Sequence, residues 1–147
     1  MDSFYPEAVS IEHDHPSLDL EEEVLDRLIH HVVDAEDATL VHVSVVLTDH
    51  TTVRRLNQDY LGHDYNTDVL SFSLREQDED GEDVEGEVYV DLDTANERHD
   101  EFDTSFEREA YRYVAHGVLH LVGYDDATES GQQAMRARED SALDAVL

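Results

Sequence analysis

The chain contains no cysteine, no tryptophan and no lysine, and it has only two prolines and six glycines. Without cysteine, neither a disulfide framework nor a thiolate metal site can form, so any bound metal must be held by imidazole, carboxylate or water. No apolar run approaches the roughly 18 residues that a membrane span requires. The N-terminal stretch also lacks the basic and apolar regions of a signal peptide. We therefore expect a cytoplasmic protein that does not enter a membrane.

The chain is also short of positive charge. Nine arginines stand against 38 acidic residues among 147, which gives a formal net charge of −29. The acidic residues are spread over almost every segment instead of being gathered in one tail. This distribution favours an acidic surface adapted to concentrated salt, because a Debye length of about 3 Å at 1 M salt screens the repulsion between carboxylates. An acidic surface for binding a partner is the alternative.

The hydrophobic pattern predicts one α/β (α+β) domain over residues 1–147, a length sufficient for a real core. Alternating and β-branched stretches predict strands over 9–13, 38–49, 68–74 and 86–92. Stretches with helical spacing predict helices over 19–35, 50–61, 104–122 and 128–145. The polar segment 75–85 is expected to form a loop or hairpin connection.

Capping residues mark several of the predicted helix ends. Asp49 or Thr51 is placed to cap the helix that begins near residue 50. Thr104 and Glu107 have the spacing of a capping box at the start of the long helix. Gly123 stands where a glycine ends a helix through a left-handed backbone conformation.

The stretch AHGVLHLVGYDD, residues 115–126, carries a candidate metal site. His116 and His120 are four residues apart on the predicted long helix, so both imidazoles lie on one face and can reach one ion. A turn at Gly123 directs the following YDD back toward the helix, where a carboxylate could supply a third ligand. The chain has ten histidines, however, and the alternative is that these two are ordinary partly buried histidines of an amphipathic helix.

The residue after the first histidine restricts the chemistry of this candidate site. Three protein ligands with one water form the pattern of a catalytic zinc, but the zinc-protease motif needs a glutamate directly after its first histidine. Gly117 occupies that position, which argues against peptide hydrolysis by that route. A glycine there allows another segment of the chain, or a polymeric substrate, to approach closely.

Residues 116–126, HGVLHLVGYDD, resemble the motif His-Gly-x-Leu-His-Leu-x-Gly-Tyr-Asp-His of the YbeY family, the bacterial endoribonucleases of ribosomal-RNA maturation. The stretches 56–72 and 86–97 are similar to two further blocks of that family, in the same order. The resemblance implies a mixed four-stranded sheet packed by helices, with one zinc per chain at the C-terminal end of the long helix. It also implies a single-strand-specific, metal-dependent endoribonuclease of small-subunit ribosomal-RNA maturation and ribosome quality control, with ribosomal RNA and the small ribosomal subunit as partners.

By position in the motif, His116 and His120 are the first two metal ligands, and the third falls on Asp126 where the family has histidine. Asp125 is the alternative if the turn registers differently. A carboxylate ligand adds negative charge, which makes a bound water less acidic and admits harder metals more readily. Zinc remains the expected metal. No catalytic side chain is identified: a metal-bound water is the expected nucleophile, and the neighbouring 2′-hydroxyl of the RNA is the alternative.

Arginine is the side chain expected to contact RNA, but Leu61 stands where many relatives of the family carry one. Arg54 and Arg55, on the same predicted helix, could take the place of that arginine, and the alternative is that they are plain surface arginines. Arg112, one turn before His116, is a further candidate for RNA contact. A positive cleft near the site would draw on these three together with Arg75 and Arg108. Candidates for holding the outer nitrogens of the histidines are Asp64, Asp68 and Ser71. The alternative function is a non-catalytic ribosome-assembly factor with a structural metal, and the oligomeric state is open.

Overall fold

The computed structural model of the protein describes residues 8–61, 68–74, 83–102, 104–124 and 126–147. The strands are β1 (Val9–His13), β2 (Thr39–Thr48), β3 (Val69–Ser73) and β4 (Asp83–Asp91). The helices are α1 (Glu22–Ala35), α2 (His50–Leu61), α3 (Leu92–Arg98), α4 (Phe106–Val122) and α5 (Glu129–Val146). A 3₁₀ turn over His99–Phe102 follows α3.

The four strands form one mixed sheet in the order β1-β2-β4-β3. β1, β2 and β4 run parallel, with Val45 beside Val88, and β3 pairs antiparallel with β4. The mixed four-stranded sheet implied by the family resemblance is therefore confirmed. Since the buried apolar side chains of β4 are valines and those of β3 are Val69 and Leu70, the two strands present an apolar surface on which a helix can pack.

Helix α4 lies at the centre of the packing. It contacts β3 and β4 as well as α1, α3 and α5, so its small and branched residues Ala110, Val114 and Val118 are fully buried. The core side chains of the sheet and of α1, α4 and α5 join into one cluster, which is the core of an α+β domain. That the domain extends over all of residues 1–147 stays a prediction. None of the helices in the described ranges combines the length and the apolar character that crossing a membrane requires.

Several predicted helix boundaries are confirmed and two are wrong. The side chain of Asp49 accepts a hydrogen bond from the backbone N–H of Thr52 at 2.8 Å, as expected for a cap of α2. The long helix, however, is capped by Ser105, whose hydroxyl accepts from the N–H of Arg108 at 3.0 Å. Helix α1 begins at Glu22 instead of residue 19 and has no side-chain cap. Most of the predicted loop, residues 75–82, lies outside the described residues, and its last three residues, 83–85, are wrongly predicted because they belong to β4.

Helix α3 and the 3₁₀ turn are the elements that the sequence pattern missed. The predicted strand 86–92 ends one residue earlier, because Asp91 caps a new helix by accepting from the N–H of Thr94 at 2.9 Å. Seven residues give too short a periodic signal to separate such a helix from a loop. Helix α3 matters to the site because its last residue, Arg98, reaches the cavity described below.

Candidate metal centre

The turn at the end of α4 determines where the residues after the helix lie. Gly123 has a φ of 128°, a conformation that side chains other than that of glycine rarely adopt. Its N–H bonds to the carbonyl of His120, and the N–H of Tyr124 bonds to that of Leu119, which together form a Schellman motif. The Tyr124 hydroxyl donates to Glu36 at 2.7 Å and so anchors the turn to the end of α1. The chain is thereby directed back across the last turn of α4.

Three side chains converge where the turn meets the helix. The Nε2 atoms of His116 and His120 are 3.0 Å apart, and Oδ2 of Asp126 lies 3.3 Å from the first and 3.7 Å from the second. Three ligands at about 2.1 Å from one tetrahedral zinc stand about 3.4 Å from each other. The separations of these three atoms agree with that spacing, so the donor set fits a zinc-sized cation.

The outer nitrogens of both imidazoles face hydrogen-bond acceptors. His116 Nδ1 lies 2.7 Å from Glu139 Oε2, and His120 Nδ1 lies 3.0 Å from the carbonyl of Tyr124. Because each neutral ring donates from Nδ1, each Nε2 is left with a lone pair. Two lone pairs at 3.0 Å, with a carboxylate oxygen beside them, repel each other unless a cation or a proton lies between them. The arrangement is that of metal-binding histidines held by outer partners.

The charges around His116 favour a positive charge at this place. Burial by itself lowers the pKa of His116, but the hydrogen bond that His116 donates to Glu139 and the charges of Glu139, Asp126 and Asp68 outweigh burial, so the pKa is raised. The side chains of His116, His120 and Asp126 are 24%, 30% and 43% exposed. The centre is therefore reached from solvent, and a fourth ligand position can open to water or substrate.

A cavity of about 190 Å³ adjoins His116 on the side of α3 and α5. Among its lining residues are three of the nine arginines and three carboxylates: Arg98, Arg112, Arg136, Asp68, Glu109 and Glu139. Burial raises the pKa of Asp68, although His116 and Arg98 oppose the shift. The cavity is close to electrically balanced, in contrast with the strongly negative chain as a whole.

Comparison with known proteins identifies the family of the chain and agrees with its fold. A family model described as Endoribonuclease YbeY matches residues 10–146. The chain belongs to the YbeY endoribonuclease family. An Endoribonuclease YbeY of Salinibacter ruber is 69% identical over 148 residues, covering 97% of this chain and 94% of the relative. One of Chlorobium phaeobacteroides is 39% identical over 122 residues, covering 83% and 86%.

A solved structure agrees with this assignment. The solution structure of a Thermotoga maritima protein superposes with a TM-score of 0.61 at 31% sequence identity, covering 94% of this chain and 88% of that one. At that identity and coverage the likeness extends over the whole sheet and its helices. The fold predicted from the YbeY resemblance is confirmed.

The position that departs from the YbeY motif still points into the centre. Asp126 directs its carboxylate toward both histidines, within the group of three side chains whose ligand atoms all lie within 4.8 Å. Asp125, the alternative third ligand, lies outside the described residues. Where the family resemblance predicts a histidine, the chain carries a residue that can also donate a lone pair.

Gly117 faces the sheet and not the metal centre. A Cβ atom on Gly117 would lie 2.6 Å from Cγ1 of Val88 and 3.0 Å from Oγ of Ser71. The Ser71 hydroxyl donates to the Gly117 carbonyl at 2.8 Å, so α4 touches β3 at this residue. Of the two partners expected for this glycine, a segment of the chain is confirmed; the substrate expectation is wrong, because the approach is filled by the sheet.

The arginines expected to contact RNA differ from one another in exposure and in their partners. Arg54 and Arg55 are exposed on α2 and do not line the cavity. Arg112 is 14% exposed and bonds to Glu139 at 3.0 Å and Asp140 at 2.5 Å. Arg108 pairs with Asp144 across α4 and α5, and Arg75, Asp64 and the side chain of Leu61 lie outside the described part of the chain. RNA binding by Arg54, Arg55 and Arg112 stays a prediction.

Glu139 is the site residue that the sequence analysis missed. It lies 23 residues after His116 on a different helix, so no local motif connects the two. Ser71, one of the expected outer partners, bonds to a backbone carbonyl instead of a histidine. One signal was available: Met135, Glu139 and Ala142 share the buried stripe of α5 at helical spacing, and a carboxylate in such a stripe needs a partner.

Proposed function

We propose that the protein is a metal-dependent, single-strand-specific endoribonuclease that acts in the maturation of small-subunit ribosomal RNA and in ribosome quality control. Membership of the YbeY family supports the reaction class. The observation that carries metal dependence is the convergence of three ligand atoms at 3.0, 3.3 and 3.7 Å with both outer imidazole nitrogens already bonded. A cytoplasmic location and ribosomal RNA on the small subunit as partner belong to this proposal.

His116, His120 and Asp126 would hold one zinc per chain through Nε2, Nε2 and Oδ2. When bound there, the metal supplies Lewis acidity and lowers the pKa of a coordinated water. Glu139 and the Tyr124 carbonyl keep the two ring protons on Nδ1, so that Nε2 remains a donor of electrons. The carboxylate of Asp126 lowers the net charge of the centre by one relative to three histidines, which favours harder cations more than the family motif does.

The partial exposure of the three ligands favours an enzyme over a non-catalytic assembly factor. A structural metal is enclosed by four protein ligands, whereas the described residues bring together three ligands that all retain contact with solvent. A path for substrate from solvent to the metal is the feature that an endoribonuclease needs. The balanced cavity beside His116 is a place where an RNA strand can approach without meeting the full negative charge of the surface.

Metal content and RNA cleavage by the protein purified in high salt test this function. We expect about one zinc per chain in the wild type and in Asp126→His, and its loss in His120→Ala and Asp126→Ala. Asp144→Asn, an exposed acid of α5 away from the centre, is the matched control and should keep both metal and activity.

The same preparations are then given single-stranded and double-stranded RNA of one sequence. Cleavage of the single strand that follows zinc content across the variants supports the endoribonuclease. Zinc bound without any cleavage would contradict the enzyme and favour the assembly factor. A wild type that binds no zinc would contradict metal dependence.

A further inference from the structure

The carboxylate of Glu139 is buried in a place that helix packing does not explain. Its side chain is 6% exposed and lies in the apolar stripe of α5, between Met135 and Leu143. A buried carboxylate is costly unless it is paired and hydrogen-bonded. The side chains that pair with it therefore indicate what the residue does.

Both oxygens of Glu139 are bonded, and both bonds lead to α4. Oε2 accepts from His116 Nδ1 at 2.7 Å, and Oε1 accepts from the guanidinium of Arg112 at 3.0 Å. Arg112 uses its other terminal nitrogen on Asp140 at 2.5 Å. The carboxylate is thus fixed from one side by Arg112 and presents a defined lone pair to His116 on the other.

We propose that Glu139, held by Arg112, is the positioning residue of the metal centre and aims Nε2 of His116 at the shared ligand position. This inference rests on the proposed function and adds a named residue to it. The two histidines are supported unequally: His120 relies on the backbone carbonyl of Tyr124, which forms with the turn itself, whereas His116 relies on a side chain from another helix. Among the described residues, Glu139 is the one whose side chain bonds to the Nδ1 atom of a ligand histidine.

This role also gives Arg112 a function different from RNA contact. Arg112 is 14% exposed, and hydrogen bonds to Glu139 and Asp140 occupy its two terminal nitrogens. Charge-assisted pairs of this kind fix geometry better than a neutral hydrogen bond. Arg112 therefore holds the buried carboxylate in a fixed orientation, and it acts on His116 through Glu139.

A purely structural role, in which the pair only ties α4 to α5, must be distinguished from positioning. The chain offers a matched control one turn away: Arg108 of α4 bonds to Asp144 of α5 at 2.8 Å, across the same two helices but at the surface. Asp144→Asn removes a tie between these helices without touching a histidine. Glu139→Gln removes the charge from the His116 partner while keeping its size.

The test is the zinc dissociation constant, measured by competition with a chromophoric chelator in high salt for wild type, Glu139→Gln and Asp144→Asn. Glu139→Gln is expected to weaken zinc binding by about 10–100-fold, the range found when an outer partner of a metal ligand is changed. Asp144→Asn should leave the constant within about twofold of the wild type, as expected for an exposed pair. Thermal unfolding of the metal-free proteins checks that each variant is folded.

A second measurement keeps the proposal testable if Glu139→Gln fails to fold. The ring nitrogen shifts of His116 in the metal-free wild type, recorded by NMR at mildly alkaline pH, should show the proton on Nδ1. A proton on Nε2 would overturn the proposal.

The binding outcomes separate the two levels of inference. Zinc bound equally by wild type and Glu139→Gln would overturn the positioning role and leave the proposed function standing. Equal weakening by Glu139→Gln and Asp144→Asn would also overturn it, in favour of a helix tie. A wild type without zinc would remove the proposed metal dependence and this inference together.

Discussion

Gly117→Ala tests whether the contact between α4 and the sheet controls the metal centre. The new Cβ would lie 2.6 Å from Val88 Cγ1, 3.0 Å from Ser71 Oγ and 3.1 Å from Val69 Cγ2. Carbon atoms in contact normally stand about 3.5–4.0 Å apart. The helix must therefore lift from β3 and β4 by a large part of an ångström, or Val88 must change its rotamer. Lifting of the helix moves the residue next to His116.

The expected size of the effect is a difference between two opposing terms. Overpacking a well-filled core costs about 1–3 kcal/mol, while alanine gains about 1 kcal/mol over glycine inside a helix. The net loss is about 1 kcal/mol, which lowers Tm by about 3 °C in a domain of this size. The bond from Ser71 to the Gly117 carbonyl, 2.8 Å long, is strained by the same movement. We expect the zinc affinity to fall on the order of tenfold because the support of His116 is displaced.

The assay is thermal unfolding in high salt with and without zinc, combined with the chelator competition described above. Gly131→Ala, the same exchange in α5, is the control, because it adds the helix propensity of alanine in a helix that packs on α1 and α4 instead of on the sheet. It should raise Tm or leave it unchanged. A Gly117→Ala protein with the Tm and zinc affinity of the wild type would refute the claim that close packing at this glycine positions the ligand.

Four further predictions follow from single contacts and from the charge. Asp49→Ala should cost about 1 kcal/mol, measured by denaturant unfolding, because it removes the cap of α2. The hydrogen bonds from Thr52 hold the pKa of Asp49 below its usual value. The stability that this cap contributes is therefore present above about pH 3.8 and is lost as the pH falls through the lower pKa of the folded state. Measuring the unfolding free energy of wild type and variant as a function of pH checks this. Arg112→Met should lower the free energy of unfolding by about 1–3 kcal/mol, because it leaves the Glu139 carboxylate buried without its counter-ion. Asp140→Asn should lower it by less than about 1 kcal/mol, because the Asp140 side chain is 50% exposed. Tm should fall as salt is removed, since repulsion within a chain of charge −29 is then unscreened. RNA affinity, measured on folded protein, should stay flat or rise with salt; the loss of about 10³–10⁵ between 50 and 200 mM that basic proteins show would contradict this.

The sequence was sufficient for the elements whose signal is local. β1 and α2 have the predicted bounds, and the helix that carries both histidines ends at the predicted glycine. These succeed because hydrophobic period, cap and glycine all indicate the same structure within a few residues of each other. Thr104 failed as a cap because Ser105, one residue later, is an equally good candidate, and its hydroxyl accepts from the N–H of Arg108.

The parts of the site that could not be predicted depend on contacts between distant segments. The partner of His116 comes from α5, and the atom that crowds Gly117 comes from β4; neither is fixed by spacing along the chain. Asp126 was accessible to sequence reasoning because only a short turn separates it from His120. Arg98 and Arg136 reach the cavity through the placement of α3 and α5, which no pattern within those helices specifies.

The charge of the chain opposes binding of the proposed substrate, since RNA is a polyanion and the protein carries −29. The charges in the cavity beside His116 resolve this conflict. Three arginines meet three carboxylates in the cavity beside His116. One of those carboxylates, Asp68, is half-buried, and its loss of contact with water raises its pKa. If the acidic surface is adapted to concentrated salt, as the composition predicts, counterion release contributes little to binding there. Recognition must then depend on stacking, hydrogen bonds and the metal centre, so a chain of this composition needs a neutral approach to its site more than a basic surface.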